Sequence, residues 1–263
     1  MGAQFFKIEG PGKRERAKLE KIKKNYKETG LADKDDFWLG MIFNYLFQFY
    51  NCNTDKKYSS KSEKEIKKSM QDWFCENEEF LNNFTLNFEP RSQETEQEGY
   101  DDIKFQSQFW GGGRKYFVIE CKNLSEAKRS MDEYIFLTKT KKEGADIIKY
   151  DDGGLYRFLI NKYAAGQKYG GIIGFVRKGN IRTISETLKN NIQNFQLISR
   201  SGKRYGQLIN SELLKQTIFE NPDTFQSNHV RWDKTKDIII PGIHIYHILF
   251  DFTQGEMMND GAR

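Results

Sequence analysis

Residues 100–124 read YDDIKFQSQFWGGGRKYFVIECKNL, and the fold turns on how this stretch is parsed. Tyr116 to Cys121 is a run of β-branched and aromatic residues, the composition strands favour. Upstream, Ile103 and Phe105 alternate with polar residues behind Asp102, the pattern of a half-buried strand. Gly111, Gly112 and Gly113 lie between the two runs and supply a flexible turn. The stretch therefore predicts two antiparallel strands joined through a glycine-rich loop.

Successive side chains of a strand point to opposite faces. Glu120 and Lys122 then share a face with Val118, and Cys121 shares the other with Phe117 and Ile119. A carboxylate and an ammonium emerge together at the strand's end. Asp102 stands eight residues before Trp110, and Glu120 seven after Gly113. Pairing about the turn brings these two acids to about the same level. Two carboxylates there can hold a hard divalent cation, most naturally magnesium, which takes oxygen ligands and keeps several waters. Such an ion polarises a phosphoryl oxygen and generates hydroxide from bound water. Lys122 can orient or help deprotonate that water, or stabilise charge on phosphate. Acid, acid and amine suffice for phosphodiester hydrolysis without histidine.

Elements on either side extend the pattern. Residues 60–74, SKSEKEIKKSMQDWF, predict an amphipathic helix that buries Ile66, Met70 and Trp73. Glu63 shares that face, whereas Glu65 falls about 100° from Ile66. FTLNF, 84–88, alternates as a strand, and GGIIGFV, 170–176, reads as a buried one. Residues 154–166 predict a helix ending at Gly166, whose Arg157 could reach phosphate or the acids. Residues 125–150 read as mixed helix and loop. Residues 185–195 fit a helix capped by Ser185, with Leu188 and Ile192 on one face. Residues 237–240 and 244–252 look like two strands joined at Pro241-Gly242. Near the N-terminus, 13–29 reads as a basic helix, either a solvated face or a phosphate-contacting arm. Residues 35–50, DDFWLGMIFNYLFQFY, form the most apolar stretch, a core or dimer helix capped by Asp35 or Asp36.

The arrangement resembles the PD-(D/E)XK superfamily, the restriction-endonuclease-like nucleases, over about residues 60–177. Asp102, Glu120 and Lys122 match its motif, with Cys121 at the variable position. The order of elements, α-β-β-β-α-β, matches its core. The resemblance implies an α/β fold with a mixed central sheet flanked by helices. The core would occupy 59–180, with an N-terminal helical segment (1–58) and a C-terminal α+β extension packed on it (181–263). It implies magnesium, with manganese substituting, held by Asp102, Glu120 and an acid of the first helix, Glu63 first and Glu65 second. The family's proline before the aspartate is absent, and Asp101 stands there as a competitor. Asp102 is preferred because Ile103 follows it. The implied activity is DNA cleavage in restriction or antiviral defence. The alternative is a catalytically silent nucleic-acid-binding subunit of a defence complex. A homodimer through helix 35–50, or a partner defence subunit, is implied with it.

Composition narrows the classes. A chain of 263 residues suits one large domain, or one with a small appendage. Lys plus Arg is 42 against 37 for Asp plus Glu, a net charge of +5 that permits nucleic-acid binding. The 3 cysteines lack metal-like spacing, which argues for a reducing cytoplasm and against a disulfide framework or zinc ribbon. His244 and His247 fall on opposite faces of one strand, so they do not form a joint metal site. No run of eighteen apolar residues spans a membrane, and residues 1–16 lack a secretory pattern. Arg114, Lys115 and the loop SRSGKRY, 199–205, could contact a nucleic-acid backbone.

Overall fold

A computed structural model describes residues 34–54, 58–88, 102–143, 146–210, 213–215 and 224–253. The basic stretch 13–29 and Asp101 lie outside them. Helix α1 spans Lys34–Asn51, with Asp35 and Asp36 in its first turn, where acids complement the helix dipole. Phe37, Trp38, Leu39, Ile42, Phe43, Leu46 and Phe49 are all buried. The aromatic side of this helix is taken up by the chain's own core and is not left for a dimer. Helix α2, Glu63–Glu76, begins in a capping box between Ser62 and Glu65. It buries Ile66, Met70 and Phe74, while Trp73 is only partly covered. A short α3, Glu78–Asn83, follows, capped by Asn77.

The strands are β1 (Thr85–Phe88), β2 (Ile103–Gln106), β3 (Tyr116–Leu124), β4 (Leu137–Glu143), β5 (Asp146–Asp152), β6 (Tyr169–Val176), β7 (Leu197–Ile198), β8 (Arg204–Tyr205), β9 (Leu214–Lys215), β10 (Thr224–Asp233) and β11 (Ile238–Asp251). Seven of them form one sheet in the order β1-β2-β3-β6-β11-β10-β9. The β3–β6 and β6–β11 pairs are parallel, and the others antiparallel. Helices α4 (Lys128–Ile135), α5 (Gly154–Leu159) and α6 (Ile181–Gln193) complete the described elements. The fold is α/β with a mixed central sheet.

Two apolar clusters flank that sheet, and β3 shows why. Phe117, Ile119 and Cys121 join the cluster built with α1, α2 and α3. Val118 joins the cluster built with α4, α5 and α6. Each fully buried large side chain contributes about 1.5–3 kcal/mol. The parity expected from YFVIEC is thus the parity observed. Residues after 180 feed the same sheet, because β11 pairs with β6 from His244 to Asp251. No helix among the described residues is long and apolar enough to cross a membrane.

Several expectations need correction. The helix expected over 154–166 ends at Leu159. Asn161, Ala164 and Gly166 take positive φ of 61°, 51° and 69°, which a helix does not tolerate. Helix α6 is capped by Asn180, five residues before Ser185, which is buried within the helix. The two strands expected around Pro241-Gly242 are one strand, β11. Its register with β10 shifts between His229 and Arg231, so Pro241 and Gly242 sit in a bulge, where proline leaves no ladder bond unmade. Within 125–150 the expected mixture is a helix, α4, followed by a separate two-stranded ribbon, β4–β5.

A buried polar chain crosses the second core. Tyr134 Oη lies 3.0 Å from His247 Nδ1, His247 Nε2 2.7 Å from Ser227 Oγ, and Ser227 Oγ 2.8 Å from His229 Nε2. His229 Nδ1 lies 2.6 Å from the Gly206 carbonyl. That carbonyl can only accept, so Nδ1 of His229 carries the proton and donates. Ser227 then donates to His229, His247 Nε2 donates to Ser227, and Tyr134 donates to His247 Nδ1. The Ile172 carbonyl, at 3.4 Å, is a second and longer acceptor for the Tyr134 hydroxyl, and both histidines are neutral. Burial drives the His229 imidazole down to about 4, and lowers that of His247 well below its ordinary value.

Candidate active site

Ile103 pairs with Ile119 across β2 and β3, so one further step of the register sets Asp102 opposite Glu120. The loop between these strands closes through Gly111, Gly112 and Gly113, all at positive φ. Glycine alone takes that conformation three times running without strain.

Glu120 is fully buried. Its Oε1 accepts from Lys122 Nζ at 2.5 Å and from Arg157 Nη1 at 2.8 Å. Its Oε2 is equally buried and has no hydrogen-bond partner. Burial first, and Asp102 second, push the Glu120 carboxyl up to about 7 against the pull of Lys122 and Arg157. Asp102 accepts from the Cys121 amide at 2.7 Å through Oδ2, and from Lys67 Nζ at 2.9 Å through Oδ1. Burial disfavours the Lys122 ammonium, yet Glu120, Glu63 and Asp102 raise its pKa overall, so it is charged at neutral pH.

Glu63 opens α2 and faces the end of β3. Its Oε2 accepts from the Asn123 amide at 3.3 Å, and its Oε1 lies 3.8 Å from Lys67 Nζ. Burial raises its carboxyl pKa, while Lys122 and Lys67 oppose the shift and Asp102 adds to it. With its side-chain amide turned, Asn123 accepts from Arg177 Nη1 at 3.0 Å and from the Glu63 amide at 3.2 Å. Glu65 points elsewhere. Its carboxylate takes the Ser62 amide and hydroxyl at 2.7 and 2.8 Å, so it caps the helix.

Arg157 is carried by α5, which approaches closely because it starts at two glycines. A Cβ on Gly153 would meet Ile135 O at 2.5 Å, and one on Gly154 would meet Tyr134 O at 2.8 Å. The guanidinium grips Asp152 through Nε and Nη2 at 2.8 and 3.2 Å, and Nη1 also donates to Tyr163 Oη at 2.9 Å. Burial would raise the Asp152 carboxyl, but hydrogen bonds from Arg157 and Lys139 hold it well below the usual range. Arg157 is therefore directed at the carboxylates.

The hairpin thus brings Asp102, Glu120 and Lys122 together, with Glu63 in the same electrostatic neighbourhood. Sequence reasoning missed Lys67, Asp152 and Lys139. Lys67 had a signal, since it lies four residues after Glu63 on one helix face. Asp152 and Lys139 had none. Other candidates are occupied elsewhere. Lys115 pairs with Asp35 at 2.5 Å, and Tyr205 of the 199–205 loop packs on Trp232 at 4.9 Å. Lys162 is half-buried.

Among the described residues, no group of three His, Cys, Asp or Glu side chains is arranged to hold a metal ion. Asp102 and Glu120 are a pair, and Glu63 is not a third ligand in this geometry. Magnesium, however, is commonly bound by one or two carboxylates with waters completing its shell. The bare Oε2 of Glu120 fits that donor chemistry. The cavities of about 650 Å³ between α4 and α6 and about 370 Å³ beside Arg231 have no lining residue among these acids. Compared with known proteins, the chain matches no family model, no curated protein and no solved structure.

The buried acid and the buried histidines oppose each other in pH. Glu120 binds its proton in the folded state at about 7, well above an ordinary carboxyl near 4.5. Acidification across that window therefore favours the folded state. The histidines have lowered folded pKa values, so the unfolded chain takes their protons first and acidification below about 6.5 favours unfolding. Glu120→Gln removes the first contribution only. Its unfolding free energy is expected to fall more steeply than wild type between pH 7 and 4.5, by about 3 kcal/mol. Denaturant titrations at stepped pH would show it, and parallel curves would rule it out.

Proposed function

We propose that the chain is a metal-dependent nuclease of the PD-(D/E)XK type that hydrolyses phosphodiester bonds in DNA, in restriction or antiviral defence. The supporting observation is Glu120, fully buried with one oxygen on Lys122 and Arg157 and the other without a partner. Leaving a buried carboxylate oxygen bare costs about 1–3 kcal/mol or more, a cost that a bound cation would offset. Asp102 and Glu120 would hold magnesium, with manganese as a substitute, and Glu63 would add negative charge beside them. When bound, the ion would polarise a phosphoryl oxygen and supply hydroxide. Lys122 remains an ammonium here. It serves as a donor to phosphate or to the attacking water, and not as the base. Arg157 positions Glu120.

A second reading is a silent nucleic-acid-binding subunit. It is favoured by the three cations, Lys67, Lys122 and Arg157, that already face these acids.

Plasmid cleavage with magnesium, manganese or EDTA separates the two. The nuclease reading expects cutting that EDTA stops. At limiting magnesium the rate is expected to climb about tenfold per pH unit below about 7 and to level above it. Saturating metal is expected to move that midpoint downward, because metal and proton compete for one carboxylate. Intact DNA binding with no cutting under any metal would favour the silent subunit.

A further inference from the structure

The β4–β5 ribbon stands apart from the main sheet, and its residues from Thr140 to Lys142 and Asp146 to Asp151 are exposed wherever side chains are described. Each strand has seven residues, which gives a length of about 23 Å at about 3.3 Å per residue. Lys139 pairs with Tyr150, Thr140 with Lys149, Lys141 with Ile148, and Lys142 with Ile147. Directly paired residues share a face. One face therefore presents Lys139, Lys141, Ile148 and Tyr150, and the other Lys142, Lys149 and Ile147. A ribbon meant to rest on its own protein has one apolar and one polar face. This one mixes cations and large apolar groups on both, with Ile147 72% exposed.

Charge is ordered along the ribbon. Asp146 lies toward its tip. At the root, Asp151 accepts from Thr138 Oγ1 at 2.9 Å, and Asp152 holds Lys139 and Arg157. The lysines fill the middle. The root also leads into the site, since Asp152 grips the same guanidinium that grips Glu120.

We propose that the β4–β5 ribbon is a recognition arm that lies in the major groove of duplex DNA and presents the backbone to the Asp102–Glu120 site. The choice of DNA rests on the nuclease reading above. The major groove is about 12 Å wide and admits a two-stranded ribbon. There, lysines of both faces meet the phosphate walls, while Ile147, Ile148 and Tyr150 meet base edges and thymine methyls.

The test is anisotropy with a labelled duplex over a salt series, using Lys141→Gln/Lys142→Gln/Lys149→Gln. All three are exposed, so the melting temperature is expected to hold. Affinity is expected to fall about tenfold or more, and the slope of log K against log salt to fall by about 2.7. Lys149→Gln alone is expected to lower that slope by about 0.9, which covers any folding defect in the triple variant. Wild-type protein that binds no duplex overturns the arm, as does a triple variant with unchanged affinity and slope. Equal weakening by Arg182→Gln/Arg200→Gln/Arg204→Gln, which removes three exposed cations elsewhere, also overturns it. So does Ile147→Ser/Ile148→Ser turning a dimer into a monomer with DNA binding intact, because the apolar groups then dock a second copy. Binding needs no chemistry, so wild-type protein that binds through the ribbon but never cuts bears on the nuclease reading alone.

Discussion

Lys122→Ala is expected, on the proposed nuclease reading, to slow single-turnover DNA cleavage by about 10²–10³ or more while leaving duplex affinity near wild type. The side chain is 16% exposed and rests on Glu120. Its absence would not unfold the site, because Arg157 still holds the same Glu120 oxygen at 2.8 Å. It would also move Glu120. Lys122 is among the groups holding that carboxyl down, so the acidic limb of the pH–rate profile should shift above about 7 in the variant. The shift separates loss of an ammonium at the site from general damage, which would lower the rate at every pH alike. A variant that cuts at the wild-type rate would end the role assigned to Lys122.

Arg231→Met is expected to cost about 4 kcal/mol of stability and about 10 °C in melting temperature. Arg231 is 2% exposed and forms no salt bridge among the described residues. Its guanidinium instead donates to neutral oxygens. Nε reaches Phe158 O at 3.1 Å, and Nη1 reaches Gln167 O at 3.3 Å. Nη2 reaches Asn161 Oδ1, Tyr163 O and Ala164 O at 2.7, 3.2 and 3.3 Å. Burial lowers its pKa to about 10, which still leaves it charged at neutral pH. Methionine fills similar space but donates nothing, so those oxygens lose their partner together. The segment they brace includes Asn161 and Ala164 at positive φ, a conformation that persists only when its surroundings impose it. Tyr163 buttresses Arg157, so cleavage should weaken as well. Urea unfolding would measure the loss, and a change below about 1 kcal/mol would show the bonds to be dispensable.

The hairpin was legible because two simple rules act there without competition. A period of two fixes which side chains share a face, and a symmetric count about Gly111–Gly113 fixes the level of Asp102 against Glu120. Helix α1 and helix α2 were legible from their apolar spacing. The ribbon was not, because neither of its faces is buried and LTKTKKE carries no apolar alternation. Helix α5 was read too long for a related reason. The spacing of apolar residues through Tyr163 continues, but Arg231, distant in sequence, draws the backbone out of the helix. The strand through Pro241 was read as two because a bulge leaves no local mark beyond the proline itself. At the site, the motif residues were visible in order, whereas Asp152 and Lys139 reach it only through the tertiary path of the ribbon.

The place of β11 has a consequence for how the protein is made. Strand β6 has β3 on one side and β11 on the other, and β11 comes from the last described quarter of the chain. Synthesis proceeds from the N-terminus at about 5–20 residues per second. For some seconds the nascent chain would carry β3 and β6 paired, with the far edge of YGGIIGFV bare. That edge is rich in glycine and isoleucine and without a charged residue to guard it, the kind that recruits foreign strands. Chaperone protection should therefore matter most in that interval, and a ribosome-stalled chain ending between β6 and β11 should aggregate far more readily than one that has passed β11.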